Sequence, residues 1–413
     1  MVIREGYKRT EAGVIPEDWE CMKIGKIADI CMCKRIFSEQ TGENFEIPFY
    51  KIGTFGKKAD TYIPRKLFEE YRRKYSYPKE GDVLLSASGT LGRTVVFDGK
   101  DAYFQDSNIV WLDINKDILC NQFLNHFYKV IKWASWEGTT ISRLYNGIIR
   151  DTYVVVPPMD EQKEIADALS DADHLISSLK KLIAKKKAVR QGAMQELLTG
   201  KRRLPGFSGE WETRPLEDYC TLITKQTGFD YTSYIKPALV KQKLLNTLPM
   251  IQTINFSGRK VSFDTDYFIP ENVAAQFPGI ILETKCVLFS IVGASVGNIG
   301  LYPGGRAFCG GAIGITRFKD ESDVEWVFYY MNSSGGQQQI QYVTKGGAQA
   351  TLTIADIRKF SIPTPGKRER EEIVSVLSAM DAEIQKLEQK LEKYRQIRQG
   401  MMQELLTGKI RLV

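Results

Sequence analysis

The residue types able to catalyse are sparse, and their spacing builds no reactive constellation. There are two histidines, His126 and His174, and seven cysteines, of which Cys31 and Cys33 form a C-x-C pair. A zinc cluster needs four convergent nitrogen or sulfur ligands, usually in spaced pairs, so no metal site is expected and the cysteines read as reduced core residues. The stretch from Gly89 to Thr94 is too short for a P-loop and lacks its lysine. Pro157-Pro158 follows valines, where an amino-methylating motif would carry Asn or Asp, and no glycine-rich cofactor loop accompanies it. The glycine clusters at 293–297 and 310–314 lie between strand-like runs and read as hairpins or bulges. Asp264 and Asp266 read as turn residues. No catalytic residue is expected; the chain reads as a binder.

What it could bind is suggested by charge. Net charge is +7, and residues 51–100 hold eleven Lys/Arg against six Asp/Glu. Lys57-Lys58, Arg65-Lys66, Arg72-Arg73-Lys74 and Lys79 are interleaved with Tyr50, Phe55, Tyr62, Phe68, Tyr71, Tyr75 and Tyr77. Cations neutralise phosphates and release counterions, while Arg, Asn and Gln can read base edges. Residues 66–75 fit equally well a solvated amphipathic helix with Leu67, Phe68 and Tyr71 in a core. The second half offers Arg259-Lys260, Arg306, Lys345 and a Gln-rich stretch at 335–353.

The elements that must position these residues are written twice. RQGAMQELLTGKRRL at 190–204 recurs as RQGMMQELLTGKIRL at 398–412, an offset of 208 residues that persists back to Glu161 on Glu369. Further upstream, GDVLLSASGTLG at 81–92 resembles KCVLFSIVGASVG at 285–297, and Trp19-Glu20 resembles Trp211-Glu212. A repeat this long means two similar domains. In the duplicated segments apolar residues alternate three and four apart, the spacing of a coiled-coil seam. The seam residues are Ile165, Leu169, Ile176, Leu179 and Ile183, matched by Ile373, Leu377, Met380, Ile384, Leu387 and Leu391. Prolines precede both segments, and Gly200 and Gly408 follow them. From about Asp160 to Leu198 such a helix would be roughly 58 Å long.

The expected fold is therefore α+β: two similar mixed domains separated by two long antiparallel helices forming an intramolecular coiled coil, a dumbbell with pseudo-two-fold symmetry. The expected segments are a first target-binding domain at 1–158, a first spacer helix at 159–200, a second domain at 201–365, and a second spacer helix with tail at 366–413. The repeat also places LLTGKIRLV near residues 6–20, so circular permutation should be tolerated. The 413 residues, 43% hydrophobic and 26% charged, suit two to three folded domains. A polar start and the lack of a long apolar run give neither signal peptide nor membrane span, so a cytoplasmic location is expected. A coiled-coil scaffold whose end domains bind proteins is the competing reading, and it requires no salt-dependent DNA affinity.

YKRTEAGVIPEDWE at the N-terminus, PPMDEQKEIA at 157–166 and the duplicated QELLTGK resemble the DNA specificity subunit of type I restriction-modification systems. The resemblance spans the chain. It implies two target-recognition domains reading a split double-stranded DNA sequence with a non-specific gap. It further implies a non-catalytic subunit, with two modification subunits docked on the outward faces of 160–198 and 368–406. S-adenosylmethionine would come with them, and ATP and Mg with restriction subunits. Base-reading residues do not transfer through such a resemblance. Charge and loop position instead select Lys57, Lys58, Arg72, Arg73, Arg93 and Arg143 in the first domain, and Arg259, Lys260, Asn298, Arg306, Lys345 and Gln349 in the second.

Overall fold

The computed structural model describes residues 3–133, 143–257, 260–344 and 350–412. The chain divides into two compact units, Met1–Lys181 with Gln389–Val413, and Leu182–Glu388. This grouping differs from a division into domains and separate spacers, because each unit takes in the start of one long helix and the end of the other. The helices are Met159–Leu197 and Lys367–Leu405, here called the first and second rods. Neither is apolar enough to cross a membrane, and neither is any other helix among the described residues.

In the first unit, β1 (Ala28–Met32), β2 (Val83–Ser86), β3 (Thr94–Val96) and β4 (Ile109–Ile114) form an antiparallel sheet in the order β1-β4-β2-β3. β2 reads VLLS and is buried along its whole length, as a central strand covered on both faces must be. In the second unit, β5 (Cys220–Lys225), β6 (Cys286–Ser290), β7 (Ile299–Tyr302) and β8 (Ile313–Phe318) repeat that order as β5-β8-β6-β7. The second sheet is extended beyond β7 by the short strands Lys260–Val261 and Phe256–Ser257. Each unit adds a smaller sheet with one parallel pairing: Ile47–Tyr50 beside Tyr103–Phe104 in the first, Thr247–Ile251 beside Ala307–Cys309 in the second. The duplication is thus one of topology as well as sequence.

The rods run antiparallel within each unit. In the first, Ile165 and Leu169 are sealed in a core with Met402 and Leu405. In the second, Met194 and Leu197 share a core with Ile373 and Leu377. Of the other seam positions, Ile176, Leu179, Ile183, Ile384 and Leu391 are buried, while Met380 and Leu387 are half-buried. Each unit sets an equivalent ion pair beside the apolar seam. Arg398 of the second rod bonds Asp173 of the first, with Nη2 3.1 Å from Oδ2, and Arg190 likewise bonds Asp381 at 3.1 Å. Burial pushes the Asp173 carboxyl upward, but Arg398 and Lys129 outweigh it and hold the group below its ordinary value. The neighbouring His126 ring is buried beside the same cations, and desolvation first, then Lys129, lowers its pKa to about 4.

A second duplicated device fixes the rod ends. Glu161 is 3% exposed and accepts bonds from Trp19 Nε1 (2.8 Å) and from Arg411 Nε and Nη2 (2.7 and 2.8 Å). Arg411 also grips Asp18 at 2.9 and 2.6 Å and lies over the Trp19 ring. In the second unit Glu369, 2% exposed, takes the same bonds from Trp211 and Arg203. Gly408 ends the second rod in the left-handed region (φ 69°), where a Cβ would lie 2.4 Å from the Pro16 ring, so both backbone and space demand glycine. Tyr7 Oη donates to the Gly408 carbonyl at 2.8 Å. The LLTGKIRL segment thus lies against residues 7–19.

Candidate nucleic-acid interface

Side chains that differ between equivalent positions of the two units sit on a backbone frame closed by equivalent bonds. After β2 the chain turns through Gly89 (φ 66°) and Gly92 (φ 76°); after β6 it turns through Gly293 (φ 88°) and Gly297 (φ 87°). Left-handed backbone of this kind is open to glycine at little cost. In the first loop Ser86 N donates to Arg93 O (2.8 Å) and Gly92 N to Ser86 O (3.2 Å); in the second Ser290 N donates to Asn298 O (2.8 Å) and Gly297 N to Ser290 O (3.0 Å). Two further chain segments are laced to each loop. Ala87 N reaches Asn108 O and Leu144 N reaches Ala87 O, while Ile291 N reaches Ala312 O and Leu352 N reaches Ile291 O. Isolated bridges Ser88 to Arg143 and Val292 to Thr351 complete the match.

The frame is buried and its tips are not. Ser86 and Ser290 are sealed, and each spends its hydroxyl inside the loop: Ser86 Oγ on Thr90 O and Arg93 N, Ser290 Oγ on Ser295 Oγ. Outward, the first unit presents Arg93 and Arg143 where the second presents Asn298 and Thr351. Arg143 Nη2 donates to Ser107 O (3.1 Å) and Ser107 Oγ (2.8 Å), and its guanidinium lies over the Tyr145 ring, itself 63% exposed. Ser107 has φ 51°, the one non-glycine residue with positive φ among the described residues. Such backbone strain persists where the surroundings over-determine it, and here it turns Ser107 toward Arg143. No carboxylate among the described residues pairs with Arg143 or Arg93, so their charges stay available to an anion.

The proposed contact residues separate by what holds them. Arg93 Nη1 donates to Phe55 O at 3.1 Å, and Ile52 lies against Gly89, so the turn carrying Lys57 and Lys58 abuts the glycine loop. Both lysines are exposed and make no ion pair among the described residues. Lys57, Lys58, Arg93 and Arg143 therefore come together around one loop frame. Arg72 and Arg73 stand apart on the helix Arg65–Lys74. Arg72 pairs with Asp101 at 3.3 Å and packs over Phe68 and Tyr77, whereas Arg73 is exposed without an ion pair among the described residues. In the second unit Asn298 is exposed at the loop's end. Arg306 is offset by Glu271 (3.0 Å) and Glu283 (3.6 Å). Lys260 Nζ donates to Gln385 Oε1 of the second rod at 3.0 Å. Arg259, Lys345 and Gln349 lie outside the described residues. Sequence reasoning missed Ser107 and Tyr145; the polar turn Asp106-Ser107-Asn108 is the signal that could have found the first.

Comparison with known proteins follows the same two-fold division. The sequence matches the type I restriction modification DNA specificity domain over residues 16–187 and again over 208–394. It is 50% identical over 173 residues to a Haemophilus influenzae protein assigned as a type I restriction enzyme specificity subunit, a stretch covering 42% of this chain and 45% of that protein. It is 25% identical over 433 residues to a Methanocaldococcus jannaschii protein assigned as the type I restriction enzyme MjaX specificity subunit, covering 99% of this chain and 97% of the other. The crystal structure of a type I restriction-modification system S subunit from M. genitalium superposes with a TM-score of 0.60 at 14% identity, covering 98% of both chains, a likeness of fold.

Proposed function

Because the chain belongs to the type I restriction modification DNA specificity family, whose subunits select sequence and do not catalyse, we propose that its two units each read one half of a bipartite double-stranded DNA target. A gap of unread base pairs separates the halves. The observation that carries this reading is the duplicated glycine-loop frame, closed by equivalent backbone bonds in both units, one residue longer in the second, and different in the side chains it presents. A frame of that kind holds its tips at a fixed place while their chemistry changes from one unit to the other, as reading two unlike half-sites requires.

The division of labour follows from charge and geometry. Lys57 and Lys58, without an ion pair among the described residues and on a turn, suit phosphate contacts that set register. Arg143, held through Nη2 by Ser107 and laid over the Tyr145 ring, keeps Nη1 to donate to an acceptor on a base edge. Asn298, which stands in the second unit where Arg93 stands in the first, offers both a donor and an acceptor, the set that complements adenine. The rods supply the docking faces for two modification subunits: Leu182 and Val189, one heptad apart on the first rod, are 39% and 52% exposed. Modification and restriction subunits would bring S-adenosylmethionine, ATP and Mg, and the assembly would act in the cytoplasm.

Mapping methylated bases in cells with and without the gene tests the reading. A split motif present in the first and lost in the second is the expected result. Unchanged methylation in a strain whose modification subunits are expressed would overturn it. A binding titration separates the scaffold reading, since DNA affinity that stays flat from low to moderate salt belongs to no phosphate-contacting protein.

A further inference from the structure

In the second unit the connection between β5 and the strand Thr247–Ile251, residues 226–246, does more than join two strands. It carries Phe229 (68% exposed), Tyr234 (51%), Leu244 (54%) and Leu245 (102%). Single exposed apolar residues need no explanation, but four in one connection do. Lys236, Lys241 and Lys243 stand among them, exposed and without an ion pair among the described residues, and Asp230, the segment's one acid, is bonded by Thr227 at 2.6 Å.

The backbone beneath these side chains is held. Ile235 is sealed in the core with Leu248 and Ile251, Val240 exchanges backbone bonds with Phe268 (2.9 and 2.8 Å), and Thr247 Oγ1 closes the turn that presents Leu244 and Leu245. The segment also borders the loop frame: a Cβ on Gly311, next to the Ala312 that laces the glycine loop, would lie 3.2 Å from Gln226 Oε1 and 3.8 Å from the Tyr231 ring. The counterpart in the first unit, residues 33–46, also exposes Phe37 and Phe45 but ties down its cations, with Lys34 over the Tyr75 ring and Arg35 on Asp106 at 2.9 Å.

We propose that residues 226–246 are a further DNA-contacting element peculiar to the second unit, in which Lys236, Lys241 and Lys243 bind phosphates and Phe229 and Leu245 press an apolar wedge into the duplex. Anchored apolar tips flanked by free lysines suit a polyanion whose base stack can be opened, since wedging residues of these types unstack and bend DNA. The inference rests on the DNA-reading function above and adds to it an asymmetry: the second unit has unpaired lysines beside its apolar tips among the described residues, where the cations of the first are held by Tyr75 and Asp106.

The test uses the full chain, with its co-purified subunits, and a duplex carrying the motif found by methylation mapping, between about 50 and 200 mM salt. For Lys236→Gln/Lys241→Gln/Lys243→Gln the slope of log affinity against log salt should fall by about 2 to 3. For Phe229→Ala/Leu245→Ser affinity should drop on the order of tenfold with the slope unchanged, and energy transfer between dyes at the duplex ends should revert toward that of straight DNA. Should the double variant melt early, Leu245→Ser alone, at a fully exposed position, carries the same test. Variants that match the parent protein in slope, affinity and bend overturn this inference and leave the reading intact, including the case where the segment docks a protein. A parent protein that binds the duplex with no salt dependence overturns both.

Discussion

Replacing Arg411 by alanine tests whether the duplicated clamp at the rod ends is as important as its geometry implies. Arg411 supplies two of the three hydrogen bonds received by the Glu161 carboxylate, which is 3% exposed, and Trp19 Nε1 supplies the other. Removing one partner of a buried ion pair strands the other and costs about 3 to 5 kcal/mol. Since the Arg411 side chain is 25% exposed, water can partly replace it, and the low end, about 3 kcal/mol, is expected. For a unit of this size that lowers the melting temperature by about 6 to 12 °C. Calorimetry of Arg411→Ala reads the shift directly. Glu161→Gln in the same background should recover at least about 1 kcal/mol, because a neutral amide is less costly to leave half-bonded. Arg203→Ala, which strands Glu369, repeats the measurement in the second unit. A melting temperature within 1 °C of the parent protein for both arginine variants would refute the reasoning; so would a double variant less stable than Arg411→Ala.

His126 makes the first unit sensitive to mild acid. Its folded pKa of about 4 lies below the ordinary 6.5, so the unfolded chain binds the extra proton; the stabilisation is full above about pH 6.5 and is lost as pH falls toward 4, by up to about 3 kcal/mol. Denaturant melts across that window should slope accordingly, and His126→Gln should flatten them, whereas Asp18 and Asp173, whose pKa values are lowered, act only at still lower pH. Lys57→Gln/Lys58→Gln should weaken all DNA alike and reduce the salt slope by about 2, while Arg143→Ala should relax one base position by about 1 to 3 kcal/mol, both read from binding to a panel of single-base variants. A chain opened at Gly206 and joined between residues 411 and 5 should fold and bind as before, since Arg203 and Trp211 would then clasp Glu369 across a break, as Arg411 and Trp19 already clasp Glu161; loss of the cooperative melt would count against it.

The duplication was legible because the rods end in a stretch that recurs almost residue for residue, RQGAMQELLTGK against RQGMMQELLTGK, and a seam of alternating three and four spacing leaves little freedom in what it packs against. The glycine loops were legible for a similar reason: GDVLLSASGTLG and KCVLFSIVGASVG keep the strand that must be buried and the glycines that must turn. What sequence did not disclose was which cations are free. Arg72 is offset by Asp101, Arg306 by Glu271, and Lys260 is held by Gln385, partners far away along the chain and brought close only by the sheets and the rods. Nor could charge and loop position single out the 226–246 connection, whose signal lies in apolar residues left outside, a property of burial and not of type.

The two loop frames explain how sequence choice can change without endangering the fold. Residues that make the frame, Ser86 and Ser290 or Leu144 and Leu352, are buried and resemble each other, so their alteration would be felt throughout the core. Residues at the tips, Arg93 and Asn298 or Arg143 and Thr351, contribute backbone bonds that any side chain permits. Their side chains can therefore diverge at little cost in stability, and in these two units they have. Recognition and folding are thus carried by different atoms of the same loop, and the rods, which both units share, keep an apolar seam and the RQG-MQELLTGK ends while the tips change.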